Sequence, residues 1–152
     1  MLCAMTKLVN LSKLDISKAY HDVRECDVLF DSGANCCVTN RRSDFVGPFH
    51  KTDGSQIVDG IGKGLKVEGK GYVAWTFRAD NGMYRTIKVP CFYVPSGNSQ
   101  IASVQEVVLK AYPKEQVTMN GDSLTLSGHG KVPSLTVPCC LTSNLPSTHQ
   151  QL

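Results

Sequence analysis

Leu29-Phe30-Asp31-Ser32-Gly33-Ala34 is the stretch whose reading decides how the rest of this chain is understood. Two apolar residues lead into an aspartate, then a hydroxyl residue, a glycine and a small residue. Cys26-Asp27-Val28-Leu29-Phe30 reads as a short buried strand, and the chain then turns at Ser32-Gly33, where glycine tolerates backbone angles that other residues avoid. The Asp31 carboxylate is thereby set at the end of an apolar strand. Asp-Ser-Gly also occurs in ordinary strand-to-loop turns, so its weight depends on its surroundings. If the chain dimerises, Asp31 meets its own symmetry mate. Two carboxylates that close share a proton, giving one acid and one base able to activate water against a peptide bond.

The 152 residues suit one domain, and a hydrophobic fraction of 41% supplies a core. A net charge of +3 without a dense Lys/Arg block gives no reason to expect nucleic acid as a partner. No apolar run approaches the roughly 18 residues of a membrane span. Met1-Leu2-Cys3-Ala4-Met5-Thr6-Lys7 lacks a signal-peptide core, so a cytoplasmic location is expected, away from membranes. Among the seven cysteines, Cys36-Cys37 and Cys139-Cys140 are adjacent pairs, and no Cys-x-x-Cys spacing occurs. With the four histidines scattered, no metal or other cofactor is expected, and the thiols read as reduced and structural. A cysteine-based metal or redox module is the weakest functional reading.

Outward from the Asp31 box, residues 1–23 form an N-terminal linker or helix. Leu2, Met5, Leu8, Leu11 and Leu14, spaced by threes, suit a helix with one apolar stripe, or equally a strand lent to a dimer interface. The main domain spans 24–140, and 141–152 reads as a disordered tail. After the box, 36–39 is the next strand, 40–43 a turn, and Phe45 and Phe49 anchor a loop around Gly47-Pro48. Residues 56–67 form a hairpin with glycines at 60, 62 and 64. Its bare tip suits closure over an extended peptide, or it simply connects two strands.

The segment 64–71 nearly matches a nucleotide phosphate loop. Gly71 replaces the required hydroxyl, and the strand formers Tyr72-Val73-Ala74-Trp75-Thr76-Phe77 replace the required helix. Residues 72–78 and 83–89 are strands joined by Asp80-Asn81-Gly82, a hairpin signal. Residues 90–95 are extended but limited by Pro90 and Pro95. Ser103 and Glu106 have capping-box spacing before a helix with Val104, Val107, Val108 and Ala111 on its apolar face, ended by Pro113. Residues 116–119 and 123–126 pair around Asn120-Gly121-Asp122, and Pro133 and Pro138 make 132–140 an edge strand at best. Many short strands with one late helix predict an all-β fold, closed or nearly closed.

The order of these parts resembles the retropepsin family, the aspartic proteases of retroviruses and retrotransposons. Leu29-Phe30-Asp31-Ser32-Gly33-Ala34 resembles the catalytic loop, and Ile57 with Gly60-Ile61-Gly62-Lys63-Gly64 and Leu65-Lys66-Val67 resembles the flap. The run from Ile87-Lys88-Val89 through Phe92-Tyr93-Val94-Pro95 to Ile101-Ala102-Ser103-Val104 is similar to copia-type retrotransposon Gag-Pol polyproteins. The resemblance covers about residues 26–127 and implies a closed β-barrel-type fold with one short helix, active as a two-fold homodimer. The implied activity is an aspartic-type endopeptidase, a hydrolase that cleaves an extended retroelement polyprotein.

By position, Asp31 would share the catalytic proton, Ser32 would lock the two loops across the dimer, and Gly33 would leave room for substrate backbone. Ile57, Val58, Gly60, Ile61, Gly62 and Gly64 would form the flap, with Ala34 and Ile101 beside the substrate. Ile101-Ala102-Ser103 would brace the loop from behind. The chain departs from retroviral proteases at Asn35 and Val104, where an acid–arginine pair is common, and at Ser103, where glycine stands. It also lacks obvious terminal dimer strands. These departures motivate the alternative of a catalytically inactive, retroelement-derived peptide-binding or remnant domain.

Overall fold

A computed structural model of the chain describes residues 3–9, 25–58 and 64–140, with backbone alone at 3–9, 25–27 and 139–140. It is mostly β with one short helix, as the strand-rich pattern predicts. Twelve strands are described: β1 (Cys3–Val9), β2 (Glu25–Asp31), β3 (Val38–Thr39), β4 (Phe45–Lys51), β5 (Ile57–Val58), β6 (Leu65–Lys66), β7 (Gly69–Arg78), β8 (Tyr84–Tyr93), β9 (Gln100–Ser103), β10 (Gln116–Met119), β11 (Ser123–Ser127) and β12 (Leu135–Cys140). Ten of them form one sheet in the order β10-β11-β12-β1-β2-β9-β3-β8-β7-β4, and β5 and β6 form a separate hairpin. Beyond these neighbours, β1 also pairs with β7 through Leu8↔Phe77 and Val9↔Thr76.

The long β7–β8 hairpin shows why this sequence makes strands. Inward residues Arg85, Ile87, Val89 and Cys91 alternate with outward Tyr84, Thr86, Lys88 and Pro90, the period-two pattern of a half-buried strand. Asn81-Gly82 closes the turn: Gly82 takes φ +82°, and the Asn81 carboxamide accepts the Met83 N–H. Pro90 does not end β8, contrary to its expected limit. The Lys88 N–H goes to the Tyr112 hydroxyl and the Phe92 N–H to the Cys37 carbonyl, both away from β7. Pro90 shares their direction, so its missing N–H removes no β7–β8 bond.

Other local expectations give way to pairing between distant segments. Residues 3–9 are a strand, not a helix, because β1 is held by β2 along its length and by β12 and β7 at its two ends. The stripe positions Leu11 and Leu14 and the tail 141–152 lie outside the described residues. Residues 45–51 are a strand with a bulge, not a loop. The bulge at Gly47-Pro48 and the bare Gly69 and Gly71 of β7 leave room for Phe49 and Phe45, since a Cβ on Gly69 would lie 2.1 Å from Phe49 Cζ. β12 is not an edge strand: it pairs with β11 up to Pro138 and with β1 from Cys139 onward, so the proline sits at the handover between partners. The helix begins as a π turn over Val104–Val108 and continues as α1 (Leu109–Ala111).

Two apolar clusters sit on opposite sides of the β2–β9 pair. The larger gathers Val28, Phe30, Val73, Trp75, Phe77 and Ala102 with Leu124, Leu126 and Leu135. The smaller joins Val38, Val67, Val94 and Ile101. Parallel strands buried on both faces need apolar residues in succession, and Val28-Leu29-Phe30 and Ile101-Ala102 supply them. Two buried charged groups tie distant elements. Asp44 accepts from the Thr39 hydroxyl and the Trp75 indole N–H. Arg85 pairs with Glu115 and donates to the Leu126 and Pro133 carbonyls.

Candidate functional site

Asp31 ends β2 with Ser103 of β9 beside it in parallel register and Cys3 of β1 on the other side. Strand alternation puts Asp31 and Leu29 on the face shared with Ile101 and Ser103, toward the smaller cluster. The carboxylate belongs to a buried residue, 8% exposed, and its Oδ1 accepts the Gly33 N–H at 2.7 Å. Gly33 is exposed, and Ser32 and Ala34 are half-buried. Ser103 is wholly buried. Its hydroxyl donates to the Ala34 carbonyl at 2.7 Å, and its N–H points to Cys37 Sγ at 3.3 Å. The hydroxyl therefore fastens the loop after Asp31 instead of capping the helix, and the expected capping box does not form. Glu106 instead pairs with Lys110 one turn on.

The hairpin arms lie beside this loop. Val58 and Leu65 pack with Ala34, Leu29 and Cys36 on the Ile101 cluster, whereas Ile57 remains 54% exposed. Gly64 takes φ +66°, a left-handed conformation that suits glycine. Gly60, Ile61 and Gly62, the expected tip, lie outside the described residues. The structure thus brings Asp31, Ala34, Val58 and Ile101 to one side of the β2–β9 pair, whereas Ile57, paired with the exposed Lys66, lies on the other face of the hairpin. The first four together make an apolar shelf with one carboxylate turned into its own loop.

A second concavity went unread in the sequence. A cleft of about 570 Å³ opens between the β4 bulge, the outer face of β7 and β8, and the helix. Pro48, Tyr72, Pro90 and Val107 form its walls, and Cys36 and Cys91 line it as well. Burial pushes the Cys36 thiol up, the Cys37 thiol to about 12 and the Cys91 thiol well above its ordinary value, so all three stay protonated and nearly apolar. They are free thiols, and no group of three or more metal-ligating side chains gathers among the described residues. His50 and Lys70, opposite each other on β4 and β7, line the same cleft. The outward Tyr72 and the prolines were the available sequence signal, but only the fold brings 36–37, 48–50, 70–72, 90–92 and 107 together.

A family model described as the Pol polyprotein, beta-barrel domain, matches residues 28–112, more than half of the chain. No curated protein and no solved structure gives a significant match. The matched segment contains the Asp31 loop, the β5–β6 arms and Ile101, the residues on which the retropepsin resemblance rested. The family match corrects that resemblance. The segment is a β-barrel domain of a retroelement Pol polyprotein and not its protease domain, and the endopeptidase reading built on Asp31 is withdrawn with it.

Proposed function

The chain belongs to the Pol polyprotein beta-barrel domain family, and on that premise we propose that it is a catalytically inactive module that holds an extended polypeptide segment. The observation that carries the binding reading is the apolar shelf, where the half-buried Val58, Leu65 and Ala34 lie over Ile101. A short hairpin next to an apolar shelf can receive a further strand, whose backbone bonds to the hairpin while alternate side chains rest on the shelf. Asp31 is read as a loop residue, its carboxylate bound to the Gly33 N–H. We also read the sheet as closing into a barrel. Support comes from the path β1-β2-β9-β3-β8-β7, which returns to β1 through Leu8↔Phe77. Titrating the protein with a panel of unstructured apolar peptides, followed by amide NMR and mass spectrometry, tests the reading. Saturable shifts at Ile57, Val58 and Ile101 with every peptide recovered intact are expected. Absence of binding, or cleaved peptide, overturns it.

A further inference from the structure

We propose that the cleft beside Tyr72 is a second subsite, which takes an apolar side chain flanked by carboxylates from the same extended polypeptide that rests on the shelf. The inference depends on the peptide-holding reading and adds to it a place and a chemistry. The shelf and the cleft are continuous: Cys36 and Phe92 pack on the Ile101 cluster and also line the cleft. A segment resting on the shelf therefore lies next to the cleft.

The walls are apolar. Pro48 and Pro90 add no backbone N–H, Tyr72 is 51% exposed on the outer face of β7, and Val107 reaches in from the helix. The thiols at Cys36 and Cys91 are held protonated by burial and offer no fixed charge. A volume of about 570 Å³ exceeds one leucine and lies within the size range of ligand pockets.

The charge is one-sided. His50 and Lys70 line the cleft as direct cross-strand partners, and the Lys88 ammonium stands 5.6 Å from the Tyr72 ring centroid. None of the lining residues is Asp or Glu. The Lys70 and Lys88 ammonium groups supply the positive charge, and a carboxylate placed near them is attracted. An acidic peptide with an apolar anchor fits both the walls and the rim.

The test uses the full chain and a blocked peptide carrying Leu-Glu-Leu-Asp between Gly-Ser flanks. Two relatives have the acids changed to lysine or the leucines to alanine. Amide shifts are expected at Cys36, His50, Lys70 and Val107. Replacing both leucines should weaken binding at least about tenfold. Lys70→Glu, at an exposed position, should weaken the acidic peptide about fivefold and strengthen the lysine peptide. Equal binding of acidic and lysine peptides, with Lys70→Glu inert, overturns the subsite. Shifts confined to Ile57, Val58 and Leu65 overturn the subsite and leave the peptide-holding reading standing. No saturable shift with any of the three peptides overturns both.

Discussion

Glu115→Ala should be among the most destabilising substitutions in this chain outside the apolar core. Glu115 follows the helix and pairs with Arg85 of β8, and the two side chains are 4% and 3% exposed. Arg85 also donates to the Leu126 carbonyl at 3.3 Å and the Pro133 carbonyl at 3.1 Å. One guanidinium thus joins β8, the segment after the helix, β11 and the approach to β12. Removing the carboxylate strands a buried cation, which typically costs 3–5 kcal/mol. Two carbonyl acceptors remain, so about 3 kcal/mol is expected, or a drop of about 10 °C in Tm for a chain of this size.

The exposed pair Glu106–Lys110, at 2.5 Å but with side chains 52% and 69% exposed, provides the contrast. Glu106→Ala should cost no more than about 0.5 kcal/mol. Urea unfolding of both variants and of Arg85→Met/Glu115→Leu measures the difference. The double variant removes both charges and should cost less than Glu115→Ala alone. A Glu115→Ala cost below about 1 kcal/mol, the value of an ordinary exposed pair, would refute the claim that burial makes this contact strong.

Three further outcomes can be checked on the same protein. Ser103→Ala leaves the Ala34 carbonyl without its buried hydroxyl donor, so a loss of about 1–3 kcal/mol is expected by urea unfolding, with faster amide exchange in the loop after Asp31. Gly69→Ala drives a methyl into the Phe49 ring and should cost about 1–3 kcal/mol, and the double change Gly69→Ala/Phe49→Leu should recover part of it. The Cys37 thiol, raised from 9.0 to about 12, holds its proton in the folded chain at pH values where the unfolded chain has lost it. Stability is therefore intact below pH 9.0 and falls as pH rises from there toward about 12, by at most about 1.4 kcal/mol per pH unit for this thiol. Unfolding curves of wild type and Cys37→Ser across that window should show the steeper fall in wild type.

Local signals in the sequence were reliable where local chemistry decides the backbone. Asn81-Gly82 and Asp53-Gly54 mark turns, with Gly82 at φ +82° and Gly54 at φ +76°, and the alternation of β8 separates its two faces. They failed where a distant partner decides. Met5 and Leu8, spaced by three, suggested helix, yet 3–9 extends because β2, β7 and β12 supply its backbone partners. Pro138 suggested an edge, yet the change of partner from β11 to β1 lets a proline lie within the sheet. Ser103 has the spacing of a cap, yet its hydroxyl serves the Ala34 carbonyl across 69 positions of chain. The cleft was illegible for the same reason, since Cys36, Lys70, Pro90 and Val107 carry no common spacing.

The Asp31 box led furthest from the family assignment. Leu29-Phe30-Asp31-Ser32-Gly33-Ala34 forms a strand ending in a tight loop, as read from the residues, with Gly33 N–H on the Asp31 carboxylate. Strand, turn and carboxylate are properties of the backbone and of one side chain. Peptide hydrolysis needs a second group placed against the first, and the motif alone does not specify one.

The most direct measurement follows the fate of a bound peptide. A peptide that gives saturable amide shifts with the wild-type chain is incubated with wild type and with Asp31→Asn, and its mass is read over time. Intact peptide with both proteins, and comparable affinity for both, is the outcome predicted for a peptide-holding domain. Hydrolysis by wild type that disappears in a folded Asp31→Asn would contradict it.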